Sequence, residues 1–257
     1  MSNAISEHER QILEQFTHQA EPFALAASHS TEDSLRTLLD TAGVNEKDEA
    51  LDVACGPGIV ACALASVARH VTGLDLVPAM LEQARKLQSE KGLQNLTWQL
   101  GNVTSLPFDE QSFSLVVTRY SFHHLLDPGA ALREMARVAR RGGRVLVADV
   151  TPEASKSPAY DRLETLRDPS HAHALSLEEL KALGAGAGLS YRSTAAYRLD
   201  VNVDELLRDS FPAPGNAGRF RDLVRADVGV NRLSIDAYEK EGALRFRFPV
   251  SVVVWSK

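Results

Sequence analysis

Two carboxylates, two glycines and a pair of histidines are spaced in a way that suits work on a bound cofactor. Asp52, Gly56 and Gly58 fall within the run Ala50-Leu51-Asp52-Val53-Ala54-Cys55-Gly56-Pro57-Gly58. An apolar stretch starting at Leu51 meets two glycines with one residue between them. The residues that follow, Ile59 to Ala65, are small and apolar without alternation. This pattern predicts strand, tight turn, helix. Glycine allows the torsions and close approach that such a turn requires, and the first N–H groups of the helix point into it. The turn therefore reads as a cofactor pocket built from Asp52, Ala54, Cys55, Gly56, Pro57 and Gly58. A carboxylate at Asp52 repels a pyrophosphate but attracts an ammonium or a sulfonium. Gly56-Pro57-Gly58-Ile59-Val60-Ala61 also fits the dinucleotide pattern G-x-G-x-x-G/A, so the glycines alone leave a nicotinamide cofactor open.

The other candidates stand at the ends of further strands. Val71 to Asp75 is a short strand ending in an acid, which either accepts two hydrogen bonds from a ribose diol or caps the helix that Pro78 opens. Leu76 and Met80 belong to the same edge. Leu96 to Leu100 makes a third strand, followed by Gly101, Asn102 and Val103. Phe113 to Thr118 makes a fourth, with Arg119 and Tyr120 at its tip and Phe122, His123 and His124 just beyond.

Leu51-Asp52-Val53-Ala54-Cys55-Gly56-Pro57-Gly58 resembles motif I of the class I S-adenosylmethionine-dependent methyltransferases, and its surroundings resemble most the UbiE-like branch (methyltransferase type 11). Three more runs fit in order: Val71-Thr72-Gly73-Leu74-Asp75; Gly101-Asn102-Val103 with Leu106-Pro107-Phe108; and Val116-Val117-Thr118-Arg119-Tyr120-Ser121-Phe122-His123-His124. Together they cover roughly Val44 to Val150. The resemblance implies an α/β, doubly wound Rossmann-like sheet of seven strands, mostly parallel with one antiparallel edge strand. It implies S-adenosylmethionine as cofactor and S-adenosylhomocysteine as product. Adenine is expected beside Gly101, Asn102 and Val103; relatives often carry Asp at the middle position, and Asn102 offers an uncharged amide oxygen in its place. Val60 stands where many relatives have a third glycine. The Asn- and Arg-containing signatures of the quinone-ring enzymes are absent, which argues against quinone C-methylation.

Methyl transfer from a sulfonium starts from an activated donor, so the protein must orient the acceptor, exclude water and, where needed, take a proton. His123 and His124 are the candidate bases, since imidazole titrates near neutral pH. Equally, such a pair can cap the next helix or bond the cofactor loop. Tyr120 and Phe122 line the pocket or simply pack.

The elements that hold these residues follow from the pattern. Asp127-Pro128 starts a helix through Leu132, Met135 and Val138, and Gly142-Gly143 turn the chain into a fifth strand, Arg144 to Val150. Ser176 and Glu179 form a capping box. Leu189 to Leu199 and Leu244 to Trp255 are the last two strands, which the resemblance pairs antiparallel. Residues 1–43 read as a helical cover, with Ser30 capping its second helix and Phe16, Phe23 and His29 either packing or closing over the cofactor. Residues 44–150 form the cofactor-binding core of one domain spanning 1–257. Residues 151–257 hold a candidate substrate lid or plain insertion near 200–242.

Composition narrows the partners. At 257 residues with a net charge of −6 and no basic stripe, the chain does not suit nucleic acid. Cys55 and Cys62 read as free buried thiols, and no apolar run approaches membrane-spanning length. A cytoplasmic enzyme acting as monomer or homodimer on a small apolar or aromatic molecule, at O, C or N, is expected. No metal is expected, although His171, His173 and Asp168 cluster in sequence. An NAD(P)-dependent oxidoreductase and a non-catalytic metabolite-binding module are the alternatives.

Overall fold

Strand β1 (Glu49–Val53) lies inside the sheet, and its side chains show why so apolar a run belongs there. Leu51 and Val53 face one side, with Val116, Val145 and Val147; Ala50 faces the other, with Leu115, Val117 and Leu146. A strand covered on both faces has no solvent side for polar residues to alternate onto. The structure, a computed structural model, describes residues 6–25 and 32–257. His29 and the Ser30 cap lie outside the described residues.

The strand order is β3 (Leu96–Leu100), β2 (His70–Asp75), β1, β4 (Phe113–Arg119), β5 (Ala139–Val150), β8 (Ala243–Ser256), β6 (Ser190–Asn202). The first five are parallel, and β8 runs antiparallel to both β5 and β6. This is the doubly wound, mostly parallel sheet that the motifs imply. An eighth short strand, β7 (Tyr238–Lys240), pairs with the start of β8. Helices α3 (Ile59–Ala65), α4 (Pro78–Glu90) and α5 (Pro128–Val138) belong to the crossovers, and Asp127 caps α5 by accepting the Ala130 N–H at 2.8 Å. The capping box of Ser176 and Glu179 opens α7 (Leu177–Gly186).

Strand β5 begins earlier than expected. Gly142 and Gly143 do not precede the strand but lie within it, at an irregularity in its register with β4. Gly142 has φ 73°, and a Cβ on Gly143 would stand 2.8 Å from the Arg140 carbonyl oxygen, so the pair bulges without ending the ladder.

Beyond β5, α6 (Ser157–Arg167), α8 (Val203–Ser210) and α9 (Asn216–Ala226) contribute to a second apolar cluster with Phe246 and Phe248. The 200–242 segment thus folds as two helices and a hairpin strand. Helix α1 (Glu7–Leu25) crosses the sheet's open end, where Gln15 and Gln19 both donate to the Ser210 carbonyl, at 2.7 and 3.1 Å. Helix α2 (Glu32–Ala42) packs with Leu38 on the α3 side. Among the described residues no helix is long and apolar enough to cross a membrane.

Candidate functional site

The strand order reverses between β1 and β4, where open α/β sheets form a crevice at their carboxyl ends. A cavity of about 290 Å³ occupies that position. It is lined by Asp52, Ala54, Cys55, Gly56 and Pro57 from β1 and its turn, and by Asp75, Leu76 and Met80 after β2. Asn102, Val103, Arg119, Tyr120 and His124 complete it. Ala54 and Tyr120, at the tips of adjacent strands, hold left-handed φ values of 54° and 57°. Non-glycine residues adopt that region at a cost, and such strain gathers at functional sites.

Gly58, Gly101 and His123 do not line this cavity. A Cβ on Gly58 would stand 2.7 Å from Trp98 Cη2 and 2.9 Å from Ala84 Cβ, and one on Gly101 would meet Leu74 Cδ1 at 2.8 Å. Close packing of α3 against α4 and β3 is thus what Gly58 permits. With φ at 79° it also needs glycine for its backbone. Gly58→Ala is expected to lower stability by about 1–3 kcal/mol through overpacking; an unchanged Tm would contradict this.

Charge in the cavity is arranged around two buried acids. Burial pushes the Asp52 carboxyl up to about 7, against the pull of Arg119 and the Ala61 backbone N–H. Its Oδ2 has no hydrogen-bond partner among the described residues. Burial likewise pushes Asp75 up to about 6, although its oxygens accept from the Gly56 N–H at 2.7 Å and the Val77 N–H at 2.9 Å. Asp75 therefore ties the glycine turn to the start of α4 and faces the cavity as well. A buried carboxylate with an unpartnered oxygen calls for a cationic ligand. An amino-acid ammonium fits there, and a ribose diol fits beside Asp75.

These shifts have a sign that can be measured. Below about pH 7 Asp52 holds a proton when the cavity is empty of ligand, whereas an ammonium favours the ionised form. S-adenosylhomocysteine is expected to bind more weakly as pH falls from 8 to 6, approaching roughly tenfold per unit well below 7. Asp52→Asn removes the limb near pH 7 and leaves the one that Asp75 adds near pH 6; a pH-independent Kd in the native protein would contradict the assignment. Without ligand, ionising Asp52 opposes folding, so its contribution to stability falls as pH rises from 3.8 to about 7.

At the far end, the Asn102 amide is engaged at both its oxygen and its nitrogen. Its oxygen accepts from Thr104 N at 3.0 Å and Thr104 Oγ1 at 2.9 Å, and its nitrogen donates to Glu9 of α1. The carboxylate that faces this end of the cavity comes from Glu9, 93 residues away in sequence. The roof closes further through Phe16 and Phe23, and His8 Nε2 donates to the His124 carbonyl at 2.7 Å.

The two histidines have opposite environments. His123 Nδ1 lies 2.6 Å from Asp149 Oδ1, and Asp149 also accepts the N–H groups of Ser121, Phe122 and Val150. Burial opposes the His123 imidazolium, but the Asp149 charge and hydrogen bond outweigh it and the pKa rises. Burial, helped by the neighbouring His123, drives His124 down to about 3, leaving it neutral. The Ser170 hydroxyl donates to Asp168, so His124 Nδ1 donates to the Ser170 carbonyl and hydroxyl oxygens, each at 3.1 Å.

His123 lines a second cavity of about 60 Å³ that shares Phe16, Phe23, Tyr120 and His124 with the first. Its other walls are Gln19 of α1, Val150, Leu199, Leu206 and Phe248, together with Tyr160, Glu164, Arg167 and Asp168 of α6 and its end. Sequence reasoning missed α6 and Asp149. Ser157-Pro158 at a helix start and Tyr160, Leu163, Glu164 and Arg167 at three- and four-residue spacing carry the signal for the helix. The sequence cluster of His171 and His173 resolves onto one acid: they reach the two oxygens of Asp161 at 2.8 and 2.7 Å. Cys55 and Cys62 are free and buried.

Residues 51–147 match a family model described as a methyltransferase domain. Over 197 residues the chain is 32% identical to YcgJ of Bacillus subtilis (strain 168), named as an uncharacterized methyltransferase, covering 75% of this chain and 77% of that one. The solved YcgJ structure is similar with a TM-score of 0.81 at 26% identity, over 88% of this chain and 99% of that one. A demethylmenaquinone methyltransferase of Tropheryma whipplei (strain Twist) is 34% identical over 119 residues, 46% of this chain and 48% of that one. Sheet order, paired acids and likeness agree: the chain belongs to the class I S-adenosylmethionine-dependent methyltransferases, in their UbiE-like branch.

Proposed function

We propose that this methyltransferase acts on a small, largely apolar acceptor held in the second cavity, with His123 removing the acceptor's proton. The observation that carries the reading is His123, paired with Asp149 and lining a part-apolar chamber that adjoins the cofactor cavity. Bound S-adenosylmethionine supplies an activated methyl group on a sulfonium, which leaves positioning, dryness and one proton to the protein. Asp52 has an oxygen free for the ammonium and Asp75 stands beside it for the ribose hydroxyls. The α1 roof, tied down at Asn102, His124 and Ser210, keeps water out. On the acceptor side, ionised Asp149 fixes Nδ1 of His123 as a donor, so Nε2 is the atom that takes up the proton. His124, neutral and anchored on Ser170, is a wall and not a base.

Val150, Leu199, Leu206 and Phe248 favour an apolar or aromatic body. The net charge of −6 gives a polyanion no purchase. Formation of S-adenosylhomocysteine across a panel of small hydroxylated aromatics, alcohols and amines, run beside RNA and denatured protein, tests this. Turnover with a small molecule is expected. Turnover confined to the macromolecules would overturn the acceptor class, and S-adenosylhomocysteine binding without any turnover would favour a non-catalytic module.

A further inference from the structure

Buried polar atoms without partners mark places where a protein expects something else to bond. In the second cavity three such atoms belong to one helix: the Tyr160 hydroxyl, Glu164 Oε1 and Arg167 Nε. Tyr160 is fully buried and Glu164 is 2% exposed, yet the Tyr160 hydroxyl and Glu164 Oε1 have no hydrogen-bond partner among the described residues. They lie at i and i+4 on α6, one turn apart on the same face, and both line the cavity. Neither bonds the other.

We propose that Tyr160 and Glu164 form a hydroxyl-reading pair that selects acceptors carrying a neutral hydroxyl on an apolar body, a proposal that rests on the second cavity being the acceptor site. The chemistry of the pair narrows the group. Burial pushes the Tyr160 phenol well above its ordinary range, so it remains a donor. Glu164 Oε1 is an acceptor only, because Oε2 of the same carboxylate is bonded to Arg167 at 2.5 Å. Two donors, the Tyr160 O–H and the Arg167 Nε–H, and one acceptor, Glu164 Oε1, suit a group that accepts and donates at once, and a hydroxyl does both through one oxygen with two lone pairs. A carboxylate has no hydrogen for Glu164. An ammonium has no lone pair for Tyr160, and Arg167 cancels the charge that would draw it in. Leu199, Leu206 and Phe248 hold the apolar remainder.

Phenol and toluene are near-isosteres that differ in the hydroxyl, and they are the probes. Each is titrated calorimetrically into protein saturated with S-adenosylhomocysteine, for the native chain, Tyr160→Phe and Glu164→Gln. Native protein is expected to bind phenol at least tenfold more tightly than toluene. Tyr160→Phe is expected to cut that ratio to about threefold or less, with S-adenosylhomocysteine affinity unchanged and Tm unchanged or raised, since it removes only an unpartnered buried hydroxyl. Glu164→Gln also lowers the ratio. Equal binding of the two probes to native protein, binding of neither, or a ratio that survives Tyr160→Phe would overturn the hydroxyl pair while leaving the methyltransferase intact. Failure of S-adenosylhomocysteine to bind at all would overturn the cofactor cavity and this proposal with it.

Discussion

Asp149→Asn is expected to lower turnover by about 10²- to 10⁴-fold, the usual contribution of a general base, while the Kd for S-adenosylhomocysteine stays within about threefold of native. The reason is a matter of which nitrogen holds the proton. Asp149 Oδ2 accepts from Ser121 at 3.1 Å and Phe122 at 2.7 Å, and Oδ1 faces His123 Nδ1 and the Val150 N–H. An asparagine keeps its oxygen on Ser121 and Phe122 and turns its NH₂ toward His123. Nδ1 must then accept, the ring proton moves to Nε2, and the atom that should take the acceptor's proton no longer can. The Val150 N–H then faces the asparagine NH₂, itself a donor, and loses its partner, so stability is also expected to fall by about 1–3 kcal/mol. The pH profile separates this from simple unfolding. Asp149 holds His123 above its ordinary pKa, so native turnover rises with pH as that imidazolium loses its proton, and in the variant this limb moves to lower pH or disappears. Native-like rates in a folded Asp149→Asn would remove His123 from the mechanism.

Asp75→Ala is expected to weaken S-adenosylhomocysteine by ten- to a hundredfold, or about 1.5–3 kcal/mol for hydrogen bonds to a charged group. The loss has two sources, because the carboxylate faces the cavity and also accepts the Gly56 and Val77 N–H groups. Removing it leaves both amides buried and unpaired, so Tm falls too. Asp75→Asn retains one acceptor oxygen and is expected to sit between the two in affinity. Calorimetry and thermal unfolding on the same samples check both effects. Unchanged affinity with lowered Tm would reduce Asp75 to a structural tie between the glycine turn and α4.

Much of the cofactor half could be read from local pattern. The apolar run into Gly56 and Gly58, the acid that ends β2, the Asp127-Pro128 helix start and the Ser176–Glu179 capping box are all encoded within a few residues of one another. What escaped was set by distance along the chain. Nothing near His123 announces Asp149, 26 residues on, and nothing near Asn102 announces Glu9. Sequence alone leaves the Asn102 amide oxygen open for a ligand, but local geometry places Thr104 against that oxygen. Helix α6 keeps helical spacing but shows no continuous apolar stripe, because Glu164 and Arg167 interrupt it; those interruptions are polar lining of the second cavity. The glycine pair at Gly142 and Gly143 reads locally as a turn, because only pairing with β4 reveals a bulge.

A crystal structure with S-adenosylhomocysteine tests the central claim most directly. The amino group is expected against Asp52 Oδ2, the ribose hydroxyls against Asp75, and the second cavity beside His123 left open for an acceptor. Density that puts the ammonium elsewhere, or fills the chamber next to His123 with the cofactor itself, would contradict the account.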